Sequence, residues 1–159
     1  MTTTGWQGVL DHIHITPAKS QPMQPLQSAT LVEGRGIDGD RYFLETGTYS
    51  GIPGPDRQIT LIESEMLERV AQDCGEEIHV DDHRRNLTVT GVPLQHLVGL
   101  RFAVGDVVLE GVRINQPCKY LNLMLKRDVY MPLWNRSGLN CKVITGGQIH
   151  IGDTLRAID

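Results

Sequence analysis

The chain has 159 residues and a formal net charge of -4, with 40% apolar and 21% charged residues, which suits one core and one domain spanning residues 1–159. That acidic balance excludes a nucleic-acid binder working by broad phosphate neutralisation. No apolar run approaches the length of a membrane span, and residues 1–8 lack the charged and apolar regions of a signal peptide, so a cytoplasmic protein with no membrane partner is expected.

Two Trp, four Tyr and two Phe against 17 Gly predict many turns around a core of Val, Ile and Leu. Residues 8–15 read as a strand ending before Pro17, and after a proline-rich loop residues 26–33 read as another. Gly34, Gly36 and Gly39 match the spacing of a dinucleotide-binding loop, but no helical pattern follows them, so the stretch is read as a turn. A Gly/Pro-rich insert over 45–56 is expected to be a lid or partner surface. Ile59 to Ile62 predict a short buried strand. The one clear amphipathic helix follows at about 64–74, with Met66, Leu67, Val70, Ala71 and Cys74 on its inner face and Gly75 as its stop.

Asp81, Asp82, His83, Arg84, Arg85 and Asn86 form the densest polar cluster, just before a strand-like Leu87 to Thr90. In extended chain Arg84 and Asn86 share one face and Arg85 takes the other. Residues 102–110 and 149–156 both read as strand, Gly-Asp turn, strand, which predicts two hairpins. The fold class is therefore mainly β, a small barrel or folded sheet with that single clear helix and short helical turns.

Cys118 is the strongest candidate for chemistry. Pro117 precedes it, and Lys119 and a helix-forming stretch follow, a setting that biases a thiol toward the nucleophilic and metal-binding thiolate. Cys74 is expected in the core and Cys141 on the inner face of a strand. Arg84 with Asn86 suits an anionic, oxygen-rich ligand, the competing reading being a solvated loop of Asp-Arg pairs. Lys19 with Ser20, Arg41, Arg57 and Arg136 occupy turn-dense regions, where they join Cys118 as candidates for an anionic cofactor with a soft reactive end. His12 with His14, and His79 with His83, have spacings that contribute to metal sites, but the sequence positions no third ligand and His12 and His14 also suit a solvent-facing strand.

Taken in order, several segments resemble the MOSC domain, the module shared by molybdenum-cofactor sulfurases and the mitochondrial amidoxime-reducing component. They are Thr16 to Ser20, Gly36 to Tyr42, Arg57 to Glu63, Arg84 to Val89, Val104 to Asp106, Pro117 with Cys118, Arg136 to Gly138 and Gly146 to Asp153. The resemblance implies a barrel-like fold in which Cys118 ligates molybdenum or carries sulfur as a persulfide. It further implies that Lys19, Ser20, Arg41, Arg84 and Asn86 hold the phosphate and pterin of a molybdenum cofactor; Arg57, Lys119 and Arg136, basic groups in turn-dense segments or beside Cys118, are expected as further cofactor contacts. The N-terminal barrel of the amidoxime-reducing enzymes and the aminotransferase-like domain of the sulfurases are expected to be absent. Sulfur or electrons would then come from a partner, a cysteine desulfurase or a redox protein. Two other readings stand beside this one: a small-molecule enzyme (lyase, hydrolase or transferase) with the Cys118 thiolate as nucleophile or base, and a non-catalytic binding or adaptor module.

Overall fold

The computed structural model describes residues 5–46, 57–117 and 119–158. In chain order the strands and helices are β1 (Gln7–Ile15), β2 (Gln24–Leu26), β3 (Ser28–Val32), β4 (Gly36–Ile37), α1 (Arg41–Leu44), β5 (Ile59–Glu63), α2 (Ser64–Cys74) and β6 (Leu87–Thr90). They continue with β7 (Arg101–Val104), β8 (Val107–Ile114), α3 (Lys119–Leu125), β9 (Leu139–Thr145), β10 (Gly147–His150) and β11 (Thr154–Ala157).

Seven strands close into a barrel in the order β1, β11, β7, β8, β9, β5, β6 and back to β1. Closure leaves none of the seven with an open edge, which removes the main liability of a β fold. β5 and β6 run parallel, with α2 beginning their crossover, whereas β6 and β1 run antiparallel. A register shift between Leu10 and His12 breaks the alternation of β1, so its buried positions pass from Gly8 and Leu10 to Ile13 and His14. A separate three-stranded sheet, β10-β3-β4, lies outside the barrel ring.

The core divides in two. Leu10, Leu61, Leu87, Phe102, Leu109 and Leu139 belong to the barrel cluster, with Cys141 buried among them. A smaller cluster joins Ile62 to Leu67 and Val70 of α2, Leu121 of α3, and Ile78, Val129 and Leu133. Gly138 admits the tightest crossing: a Cβ there would sit 1.8 Å from the Leu61 carbonyl oxygen, and its φ is +101°. Only glycine fits both conditions.

Four local expectations are corrected. Residues 149–156 are not a hairpin, because β10 pairs with β3 while β11 pairs with β1 and β7. Cys74 is exposed, because the inner face of α2 ends at Val70 and Ile78, beyond the Gly75 cap, completes that cluster. A short helix, α1, does follow Gly39, capped by Asp40, whose carboxylate accepts from the Tyr42 amide. Residues 84–86 precede β6, and Arg84 is left-handed at φ 63°, so no strand alternation sorts their side chains. Among the described residues no helix is long and apolar enough to cross a membrane.

Candidate functional site

Arg41 and Arg84 meet at the mouth where β1 ends and β6 begins. Asp40 anchors the first of them: it is fully buried, accepts from the Thr16 amide just past β1, and accepts from Arg41 Nη1 at 3.2 Å. Arg41 Nη2 then donates to the Arg84 carbonyl at 3.0 Å, and its guanidinium lies 4.5 Å from the Tyr42 ring centroid. Only 6% of Arg41 and 7% of Arg84 is exposed.

The two guanidinium groups are not equivalent. Arg41 faces a carboxylate, whereas the partner of Arg84 among the described residues is the main-chain oxygen of Gln21, 2.8 Å from Nη1. Burial, followed by the neighbouring Arg41 charge, lowers the Arg84 pKa from its ordinary value, while Tyr120, Tyr42 and Asp40 act the other way. A nearly buried cation without a carboxylate is costly to fold and suited to receive an anion. Its left-handed backbone adds strain of about 1–3 kcal/mol, as is common where a loop is shaped for a ligand.

Ser20 and Lys19 join this mouth. Ser20, also left-handed at φ 62°, pairs its hydroxyl with the Tyr120 phenol at 2.6 Å. The Lys19 amide donates to Thr46, whose own amide donates to the Arg41 carbonyl, so the 19–20 turn is tied to α1 while the Lys19 side chain stays exposed. A cavity of about 270 Å³ opens beside Arg84, between the 22–23 loop, the 81–84 loop and α3.

Asn86 has a different place. It is fully buried; its carbonyl oxygen accepts from the Thr60 amide and hydroxyl, and its Nδ2 donates to the His14 carbonyl. The side chain thus bolts β1 to β5 beneath the mouth. Arg85 turns elsewhere, donating from Nε to the Ser137 carbonyl and from Nη2 to Asn115 and the Ser137 hydroxyl, both at 2.7 Å. Asn115 in turn donates to Asn140. Arg136 faces away from the mouth to Asp73 at the end of α2, and with Arg69 it lowers the Asp73 carboxyl pKa. Lys119 opens α3 and is exposed; Arg57 is half-buried just before β5. Cys118 and residues 47–56 of the Gly/Pro-rich insert lie outside the described residues.

Sequence reasoning missed Tyr120, Asn115, Ser137 and the His14–Asp81 pair. His14 is buried rather than solvent-facing, with Nε2 at 2.7 Å from Asp81 and a buried Nδ1 that has no partner among the described residues. His83 is buried beside it, accepting from the Arg85 amide at Nδ1 and donating from Nε2 to Thr88, so it is the neutral tautomer. Among the described residues no three His, Cys, Asp or Glu side chains form a metal-binding group. Proximity of Asn115 and Tyr120 to Cys118 in the chain was the available signal, and neutral polar side chains give little more.

A family model described as the MOSC domain matches residues 48–156. Comparison with curated protein sequences gives no match. Among solved structures, the YUAD protein from Bacillus subtilis superposes with a TM-score of 0.76 at 20% identity, covering 98% of this chain and 100% of that one. YiiM from Geobacillus stearothermophilus superposes at 0.72 with 16% identity, covering 96% and 75%. YiiM from Escherichia coli gives 0.72 and 18%, covering 98% and 71%. At these identities the likeness is one of fold.

Proposed function

This chain belongs to the MOSC domain family, associated with molybdenum-cofactor proteins, and from that premise we propose that it handles molybdopterin or a related anionic ligand, with Cys118 as molybdenum ligand or persulfide carrier. The observation that carries the reading is Arg84, a nearly buried guanidinium with no carboxylate partner among the described residues, strained in its loop and lining a cavity. An anionic group satisfies its free donors and offsets its desolvation.

The residues present fit the phosphate of such a cofactor. Arg84 and Arg41 would hold the anionic oxygens, with the exposed side chains of Lys19 and Ser20 as further donors on the adjoining turn. The Ser20–Tyr120 bond ties that turn to α3, which begins one residue after Cys118 in the chain, and would link ligand binding to the start of that helix. When bound, the cofactor would supply a metal for redox chemistry or sulfur transfer, and its metal would arrive already held by the pterin. As a persulfide carrier the protein would take sulfur from a cysteine desulfurase, and as a redox protein it would need an electron donor. A cytoplasmic setting suits both, because a reducing compartment keeps the thiol free.

The test is elemental analysis for molybdenum, fluorescence assay of extracted pterin, and mass spectrometry of the Cys118 peptide, on protein from a molybdenum-competent host. At least one signal is expected in the wild type and its loss is expected in Cys118→Ser. Absence of all three from the wild type would sink the reading.

A further inference from the structure

The cavity beside Arg84 is charged on more than one side. Asp81 and Asp82 line it together with Arg84, and at about 270 Å³ it has room for a small molecule or for one end of a larger one. The two carboxylates differ. Asp81 is committed to His14 through a 2.7 Å contact, whereas the Asp82 side chain has no hydrogen bond or ion pair among the described residues.

The opposite charges do not neutralise each other. Among the described residues no ion pair joins Arg84 to Asp81 or Asp82, and the neighbouring charges that bear on Arg84 are those of Arg41 and Asp40. Met23, Met124 and Leu125 supply apolar surface to the same cavity. A simple anion placed there gains Arg84 but meets the repulsion of Asp82, and a simple cation meets the converse. A molecule carrying both charges on a short aliphatic spacer satisfies each wall and covers the thioethers.

We propose that this cavity binds a small aliphatic zwitterion, an amino acid with its carboxylate on Arg84 and its ammonium on Asp82. The proposal rests on the anion-binding reading of Arg84 and goes beyond it by naming a second ligand class that would take the same guanidinium when no cofactor phosphate holds it. Specificity then follows from the pairing of charges: a ligand lacking either end leaves one buried or half-buried charge unpaired, which is the usual source of strong discrimination between analogues.

The experiment is methyl NMR of protein labelled at the methionine methyls, titrated separately with γ-aminobutyrate, butyrate, butylammonium and inorganic pyrophosphate. Met23 and Met124 are the reporters, and Met66 and Met131 are the controls. γ-Aminobutyrate is expected to shift both reporters saturably, with a Kd at least about tenfold below that of butyrate or butylammonium, and to leave the controls in place. Asp82→Asn should abolish the advantage over butyrate while the pyrophosphate response is kept or strengthened, since the repelling carboxylate is gone. Butyrate binding as tightly as γ-aminobutyrate, retention of the advantage in Asp82→Asn, or shifts shared by the controls would each overturn the proposal. If only pyrophosphate moves the reporters, the zwitterion site fails and the anion reading stands; if nothing moves them, both fail.

Discussion

Arg84 and Arg85 are adjacent in the chain, yet they belong to regions built on opposite principles. Arg85 enters a seam in which Ser137, Asn115 and Asn140 satisfy one another and the guanidinium, so every buried polar group there has an evident partner. Arg84 enters a mouth in which a nearly buried cation has one carbonyl and a strained backbone. A satisfied network holds structure, and an unsatisfied one stores free energy that a ligand can release. Placing both within two residues lets a rigid seam fix the position of the mouth.

The contrast is broken first at the bolt beneath both regions. Asn86→Ala leaves Thr60 and the His14 carbonyl without partners inside the barrel, and a loss of about 3–4 kcal/mol in urea unfolding is expected. A loss below about 1 kcal/mol would show that water replaces the amide and that the mouth is more open than its burial indicates.

The two arginines then give the comparison its sharpest form. Arg85→Ala should cost about 2–3 kcal/mol, because it strands Asn115 and Ser137 in the seam. Arg84→Gly should stay within about 1 kcal/mol of the wild type, since glycine accepts φ 63° freely and the lost cation had cost desolvation. Its pyrophosphate affinity should nevertheless fall by about tenfold or more in calorimetric titration. Equal stability losses for the two variants would erase the distinction between seam and mouth.

Much of the barrel was legible because its signals are periodic. A strand pattern stopped by Pro17 marked β1, helical spacing marked α2 over its full length, and the Gly-Asp turn marked the β7–β8 hairpin. The second Gly-Asp turn misled because an identical local turn joins strands that go to different sheets, and pairing is decided by distant partners. At the mouth, residue types were informative and directions were not. Lys19, Ser20, Arg41 and Arg84 do come together, but Arg136 leaves for Asp73, and nothing local foretells that choice. Asn86 was visible as a polar residue before a strand, and only the closure of β1 on β6 and β5 on β6 shows that its amide spans the barrel wall. Arg84 adopts a left-handed conformation that no sequence rule assigns to arginine.

A smaller effect distinguishes the two regions by pH. His83 lies between them, its Nδ1 occupied by the Arg85 amide and its pKa held well below the ordinary value, chiefly by burial and then by the charges of Arg85, His14 and His12. A base whose folded pKa is depressed binds its proton more readily when unfolded. The unfolded state therefore gains protons as pH falls below about 6.5, and stability declines there by up to about 1.4 kcal/mol per pH unit from this group. Above that pH the group contributes no slope. His83→Gln should flatten the fall between pH 6.5 and 5 in urea unfolding, after correction for any uniform loss. An unchanged slope would mean that another group sets the acid limit of the mouth.

The smallest expected effect is on thiol reactivity, and it contrasts the barrel interior with the rim of the second core. Burial pushes the Cys141 thiol far above its ordinary pKa, and the same burial denies access to reagent. Cys74 projects from the end of α2 because Ile78, rather than the cysteine, completes the cluster behind it. Iodoacetamide at pH 8 should therefore alkylate Cys74 in the native protein and reach Cys141 only after denaturation. Peptide mass spectrometry with and without urea reads both outcomes. Native labelling of Cys141 at a rate near that of Cys74 would require the β5–β9 side of the barrel to open without global unfolding, and the seam that anchors Arg85 on Ser137, just before β9, would then share that motion.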